Sequence, residues 1–217
     1  MTTTRLLLLA TYFLLFSAGC TADTAEAQAR LACGVDADET ARLMSLDYQA
    51  FDQDFDGGWR AVAYRDGCEA VAVGLIEDYL AAKPELSAED QHSLRWHAGQ
   101  GLASVGDYDA AESYFEQSYL DDPKQAPWNL YVDATLGFIR RDRAAVQAAH
   151  DALAAMPVGE EVQAARQRFL DENPDITMPD GFVTEPQNLS VVRNFLQCFD
   201  ETYEVAYGHC GSDEHGR

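Results

Sequence analysis

The amino-acid sequence predicts an all-α protein built from stacked helical hairpins, and three observations lead to this fold class. A stretch that begins near Ala98 is echoed 34 residues later, with small or apolar residues returning at matching places. Elsewhere, apolar residues recur at steps of three and four, which is the period of an α-helix with one buried face. Residues that cap helix N-termini, followed three positions later by an acid, mark the expected helix starts.

The internal repeat rests on a small set of matching positions. The pairs are Ala98 with Val132, Leu102 with Leu136, Ala111 with Ala145, Ser118 with Ala152, Tyr119 with Leu153 and Pro123 with Pro157. Small residues at fixed points allow paired helices to approach closely, so this period indicates a repeated helix–turn–helix unit. Gly106 supplies the turn of the first unit, and Arg140-Arg141 stand at the turn of the second.

This stretch resembles the tetratricopeptide repeat (TPR) family, specifically over residues 88–157 and more weakly over residues 58–84. The resemblance implies a short α-solenoid of stacked hairpins with a helical cap at each end, because an uncapped end repeat exposes an apolar face. It also implies a concave groove that binds a partner protein. The groove positions are Ser93, Trp96, His97, Gln100, Tyr131 and Phe138.

The groove positions are aromatic and polar, and they lack the Lys, Arg and Asn with which some TPR proteins grip a peptide carboxylate. Such a surface suits an extended segment or an apolar helix, with Trp96 and Tyr131 as anchors. The alternative is that these two side chains pack against a neighbouring helix.

The elements follow in order along the chain. We expect a signal peptide over residues 1–19, a tether over 20–35, an N-terminal helical region over 36–86, TPR-like repeats over 87–157 and a C-terminal helical cap over 158–217. Asp36 with Glu39 and Ser87 with Asp90 have the spacing of helix starts. Gly57-Gly58 breaks the first helix of the N-terminal region.

The C-terminal cap contains two predicted helices. Residues 160–172 form the first, with Val162, Ala165 and Phe169 directed inward. Asn188 is the predicted N-cap of the second.

The first residues have the pattern of an export signal. Arg5 precedes an apolar run from Leu6 to Phe16, and small residues lead directly to Cys20. This arrangement resembles a bacterial lipobox, although Ser17 stands where the motif usually has Leu. The resemblance implies lipidation of Cys20 and a periplasmic protein anchored to the outer membrane. The alternative is cleavage near Ala22 or Ala27, which releases a soluble protein.

The remaining cysteines are Cys33, Cys68, Cys198 and Cys210. An even number in an exported chain predicts two disulfides, for which three connectivities exist. We expect Cys33–Cys68 and Cys198–Cys210, because this pairing closes the shortest loops.

The formal net charge is −22. Such a charge repels phosphate backbones and anionic lipid headgroups, so it argues against nucleic-acid binding and against adsorption to anionic membranes. The partner that the TPR resemblance implies is another protein or a peptide segment.

The chain shows no motif typical of a nucleophile elbow, a phosphate loop or a dinucleotide site. We expect a non-catalytic adaptor with no cofactor and no metal. One alternative is a calcium module at Asp52, Asp54 and Asp56, which have the opening spacing of a calcium loop, but Ala63 occupies the position of the closing Glu. The other is a hydrolase whose site lies in the C-terminal third, with a Ser or a carboxylate beside His209.

Overall fold

The computed structural model describes residues 18–178 and 181–211, and every regular element in these ranges is helical, so the all-α class is confirmed. The helices are α1 Ala18–Ala32, α2 Ala37–Ser45, α3 Arg60–Ala63, α4 Glu69–Ala82, α5 Ala88–Ser104, α6 Tyr108–Glu116, α7 Ala126–Ile139, α8 Arg143–Ala154, α9 Glu160–Glu172 and α10 Leu189–Gln197. Short π-helical turns lie at Gln49–Gln53 and Val205–His209, and a 3₁₀ turn lies at Pro123–Gln125.

Residues 1–17 of the expected signal peptide lie outside the described residues. Cys20 lies in α1, but its side chain lies outside the description. Across the described ranges, no helix combines the length and the apolar character that a membrane crossing requires.

The helices pack in chain order around two apolar cores. Helix α4 contacts α5, α5 contacts α6, α6 contacts α7 and α7 contacts α8, and α10 returns to pack on α7 and α8. The N-terminal core gathers residues from α2 to α5, whereas the C-terminal core gathers residues from α5 to α8, α10 and the segment that follows α10. Leu102 on α5 packs against both cores, so α5 joins the two halves.

The turns of the two hairpins have the same backbone geometry. Gly106 between α5 and α6 has φ +84°, and Arg141 between α7 and α8 has φ +57°. The next residue in each turn is an N-cap aspartate, Asp107 or Asp142, whose side chain accepts a hydrogen bond from a backbone N–H three residues on.

Asp107 and Asp142 are 35 residues apart, one more than the offset that the sequence predicts. Ala144 and Ala145 are adjacent, so a match based on small residues cannot fix the alignment to one position. Gly106 therefore corresponds to Arg141 and not to Arg140. A left-handed backbone costs a non-glycine residue free energy. The Arg141 guanidinium donates hydrogen bonds to the carbonyl oxygens of Phe199 at 2.5 Å and Glu201 at 2.9 Å, which offsets this cost.

Most of the expected tether over residues 20–35 is helical, which corrects that prediction. Helix α1 covers Ala18–Ala32, and Arg30 forms ion pairs with Asp78 of α4 at 2.6 Å and with Glu26 at 2.8 Å. Helix α1 contains six Ala together with Glu26, Gln28, Arg30 and Leu31, all of which have high helix propensity. Small and polar residues can therefore form a docked helix as readily as a linker.

In the C-terminal cap, the predicted bounds of α9 are confirmed, but its apolar side chains are not directed inward as expected. Val162 is 45% exposed and Phe169 is 39% exposed, and no residue of α9 is buried. The last helix begins at Leu189 as expected. Asn188, however, adopts φ +66° and makes no side-chain capping hydrogen bond, so its role as a side-chain cap is wrong.

Both expected disulfides, Cys33–Cys68 and Cys198–Cys210, are present in the structure. The first joins the end of α1 to the residue before α4. The second closes the segment after α10 that carries Phe199 and Tyr203. The shortest-loop pairing is thereby confirmed.

Removing Cys33–Cys68 by a double alanine substitution is expected to lower the free energy of unfolding by roughly 2–4 kcal/mol. The sequence separations are 35 for Cys33–Cys68 and 12 for Cys198–Cys210. Because a longer loop loses more entropy in the unfolded chain, removing Cys198–Cys210 should cost about 1 kcal/mol less. Chemical denaturation of both double variants under non-reducing conditions measures the difference. Equal losses, or a larger loss for the shorter loop, would contradict the chain-entropy explanation.

Candidate functional site

Three of the six predicted groove residues lie in the core, which corrects their expected role as partner contacts. Trp96 is 4% exposed, Tyr131 is 2% exposed and Phe138 is fully buried. The Trp96 ring lies 4.7 Å from the Phe115 ring and 4.8 Å from the Tyr131 ring, measured between centroids. Tyr131 and Phe138 therefore have no surface to offer a partner in this conformation, and Trp96 has almost none.

The chain fills this region with its own C-terminal segment. The Phe138 ring stacks on Phe195 of α10 at 4.8 Å and lies 5.8 Å from Phe199 and 6.3 Å from Tyr203. Two hairpins leave the apolar face of α7 uncovered, and covering this face excludes water from it. The sequence indicated a cap, but it did not indicate that the cap occupies the predicted groove.

The other three groove positions, Ser93, His97 and Gln100, are half-buried on α5. The structure brings Ser93 and His97 together with Asp52, a residue of the calcium alternative. The His97 Nδ1 lies 2.8 Å from Asp52 Oδ1, and the Ser93 hydroxyl lies 3.5 Å from Asp52 Oδ2. Residues from two separate hypotheses thus meet in one cluster, which we call the Asp52 cluster.

The Asp52 cluster surrounds a fully buried carboxylate with donors. Asp52 Oδ1 accepts a hydrogen bond from the Trp59 indole N–H at 2.8 Å, and Oδ2 accepts one from the Gln53 amide at 2.6 Å. The nearest Arg60 nitrogen lies 3.8 Å from Oδ1. In the neutral imidazole, a hydrogen bond from His97 to the carboxylate places the proton on Nδ1 and leaves Nε2 as an acceptor facing Arg60 at 3.3 Å.

Gly58 allows the chain to make the tight reversal that places Trp59 beside Asp52. Its φ is +53°, and a Cβ at this position would lie 1.9 Å from the carbonyl oxygen of Phe51. Only glycine tolerates both conditions without a shift of the backbone. The reversal after the π-helical turn brings the Trp59 N–H to the Phe51 carbonyl and the indole to Asp52.

The electrostatics of the cluster favour the ionised form of Asp52. Burial alone would raise the pKa of this carboxyl, but hydrogen bonds from His97 and Trp59 and the charge of Arg60 hold the pKa below its usual value. Nearby, burial is the main cause that raises the pKa of Tyr48 to about 12. Asp52 is therefore a charged, internally satisfied group that fastens the π-helical turn and α3 to α5.

The geometry gives no support to the calcium alternative. The oxygens of Asp52 accept from N–H donors, and Asp54 accepts a hydrogen bond from the backbone N–H of Asp56 at 3.0 Å. Across residues 18–178 and 181–211, no three His, Cys, Asp or Glu side chains are grouped so that they could hold a metal ion. The side chain of His209, on which the hydrolase alternative depends, lies outside the described part of the chain.

The lowered pKa of Asp52 predicts an acid-dependent loss of stability. A carboxylate whose pKa is lower in the folded state stabilises the fold above the unfolded pKa, which is about 3.9 for Asp. This contribution is lost as the pH falls through the folded-state pKa. The difference in unfolding free energy between the native protein and Asp52→Asn should therefore be largest near neutral pH and shrink below about pH 4. Urea titrations of both proteins at several pH values measure this difference in unfolding free energy. A difference that grows on acidification would contradict the prediction.

Among the described residues, several large apolar side chains are exposed, including Phe55 at 74% and Tyr64 at 70%. On α9, the exposed residues Val162, Ala165 and Phe169 share one side of the helix. We call this side the α9 face.

No protein-family model, curated protein or solved structure matches this chain. The functional argument therefore rests on the residues and on their geometry.

Proposed function

We propose that this chain is a non-catalytic protein-interaction adaptor of the bacterial cell envelope, exported to the periplasm and anchored to the outer membrane through a lipid on Cys20. The two disulfides support an oxidising compartment, since disulfides persist in exported proteins and are rare in the cytosol. The matching turns of the hairpins α5–α6 and α7–α8 support a short TPR-like solenoid.

The observation that carries the adaptor proposal is the α9 face. A surface helix of a globular protein normally turns its apolar stripe toward the core. Helix α9 buries no residue, and Val162 and Phe169 remain 45% and 39% exposed. Contiguous exposed apolar surface is typical of sites where another protein docks.

Two side chains join α9 to the segment that leads to α10. The Arg166 guanidinium donates hydrogen bonds to the carbonyl oxygens of Phe182 at 2.9 Å and Glu185 at 2.7 Å. The Phe169 ring lies 6.2 Å from the Phe182 ring. These contacts restrain α9 relative to that segment before a partner binds, which lowers the ordering cost of binding.

Site-specific photo-crosslinking in cells tests the adaptor proposal. A photoreactive residue at Phe169 should crosslink to another protein, whereas the same residue at Val105, which is 50% exposed near the end of α5, should not. Equal crosslinking from both positions, or none from Phe169, would count against a docking role for α9. The mass of the mature N-terminus tests the lipid on Cys20 separately.

A further inference from the structure

We infer that the partner of the α9 face is a cationic amphipathic helix, with apolar side chains along one side and Lys or Arg on its flanks. This inference rests on the proposed adaptor function and adds the chemistry of the partner. It follows from the charges that border the apolar stripe.

Helix α9 and the residues after it carry carboxylates that no basic side chain neutralises. They are Glu160, Glu161, Asp171, Glu172 and Asp175, and none is in an ion pair within the part of the chain that the structure describes. Asp171 accepts a hydrogen bond from the neutral amide of Gln167 at 2.9 Å, which leaves its charge uncompensated. By contrast, Glu112 and Glu116 on α6 both pair with Arg140.

The C-terminal end of α9 concentrates this negative charge. Asp171 and Glu172 lie in the last turn, which contains no basic residue. The carbonyl end of a helix carries a partial negative charge, so acids there are unfavourable and cations are favourable. Arg166 is turned toward the protein by its two carbonyl contacts. Arg168 is exposed one turn before these acids, but it forms no ion pair with either of them within the described residues.

Helical spacing places the acids at the edge of the apolar stripe. Glu161 precedes Ala165 by four residues, and Glu172 follows Phe169 by three, so each lies beside an exposed apolar position. Arg168 lies on the same edge between them, so the edge carries two carboxylates and one guanidinium. A helix laid into this surface would bring its own flanking residues against Glu161 and Glu172. Lys or Arg at these flanks would complement the carboxylates, and Asp or Glu would be repelled.

A second copy of this chain is a poor occupant by the same argument. In a twofold dimer the same patch meets itself, so the five carboxylates of one copy would face the five of the other, with Arg168 as the exposed base on each helix. The formal net charge of −22 adds repulsion between copies.

Binding of designed peptides to the disulfide-bonded protein tests the inference. The probe is an 18-residue helical peptide with Leu at one face and Lys on the flanks, and its affinity is measured by fluorescence anisotropy at two salt concentrations. The first matched control replaces every Lys with Glu, and the second keeps the composition but scrambles the Leu positions. The protein variants are Phe169→Ser, the pair Asp171→Asn with Glu172→Gln, and Val105→Ser as an exposed apolar control.

We expect the Lys peptide to bind, with affinity that falls as salt rises. Phe169→Ser should weaken binding about tenfold or more, the Asp171/Glu172 variant should weaken it by a smaller factor, and Val105→Ser should leave it unchanged. Equal binding of the scrambled peptide, or no effect of Phe169→Ser, would show general attraction to an acidic protein and overturn the inference.

Two further outcomes separate this inference from the adaptor proposal. Binding of the Glu peptide in place of the Lys peptide would overturn the cationic partner, while crosslinking from Phe169 in cells would still support an adaptor. A dimer in sedimentation that Phe169→Ser abolishes would assign the α9 face to self-association and overturn the inference.

Discussion

Phe138→Ala is expected to lower the free energy of unfolding by about 3–5 kcal/mol. Phe138 is fully buried, and its ring packs against Phe195, Phe199 and Tyr203. The substitution removes this aromatic packing and leaves a cavity between α7 and the C-terminal segment, so both transfer and cavity terms contribute.

Phe169→Ala is the matched control for this prediction, because it removes the same ring from a position that is 39% exposed. Its expected loss is at most about 1 kcal/mol, as is usual for surface positions. Guanidinium denaturation under non-reducing conditions compares the two variants. If Phe138 lined an open groove as the TPR resemblance implies, the two losses would be similar, and that result would contradict the buried position.

The sequence was sufficient to predict those features that depend on residues close together in the chain. Asp36 accepts a hydrogen bond from the Glu39 N–H at 2.8 Å and Ser87 accepts one from the Asp90 N–H at 3.1 Å, as the capping pattern predicts. The bounds of α9 follow from another local signal, the recurrence of apolar residues at steps of three and four. Such features involve residues three or four positions apart, so their geometry is fixed by the helix itself.

The arrangement of the candidate site could not be predicted in this way. Asp52 and His97 are 45 residues apart, and no local pattern indicates that a carboxylate from a π-helical turn meets a histidine from α5. The sequence signals that existed were the Gly57-Gly58 break and an acid followed closely by Trp59. These signals are typical of an exposed loop, because nothing in the sequence indicates that the Asp52 side chain is buried.

The sequence also could not predict what the apolar side of each helix contacts. Periodicity in α9 shows that Val162, Ala165 and Phe169 share a face, but it does not show what that face contacts. In α7 the chain covers Phe138 with its own C-terminal segment, whereas in α9 the equivalent stripe stays exposed. The same pattern therefore belongs to a buried core in one helix and to an exposed surface in the other.

Asp52→Ala is expected to destabilise the fold by about 3–5 kcal/mol, since it removes one member of a buried, charged network. The N–H donors of Trp59 and His97 lose their acceptor, and the nearby Arg60 charge loses its counterion. One Arg60 nitrogen is already buried and has no hydrogen-bond partner among the described residues, so the remaining cation would be poorly compensated. The effect should appear first as loosening of α3 from α5, detectable by hydrogen exchange.

Asp56→Ala provides the control, because Asp56 is exposed and lies four residues further along the same acidic loop. Its expected effect on unfolding free energy is within about 0.5 kcal/mol. A calcium loop would make both aspartates ligands, and both substitutions would then abolish a calcium-dependent rise in melting temperature. If Asp52→Ala lowers the free energy of unfolding no more than Asp56→Ala does, the stabilising role of the Asp52 cluster is contradicted. A large loss of unfolding free energy for Asp52→Ala beside a small loss for Asp56→Ala therefore distinguishes a structural role of Asp52 from a ligand-binding one.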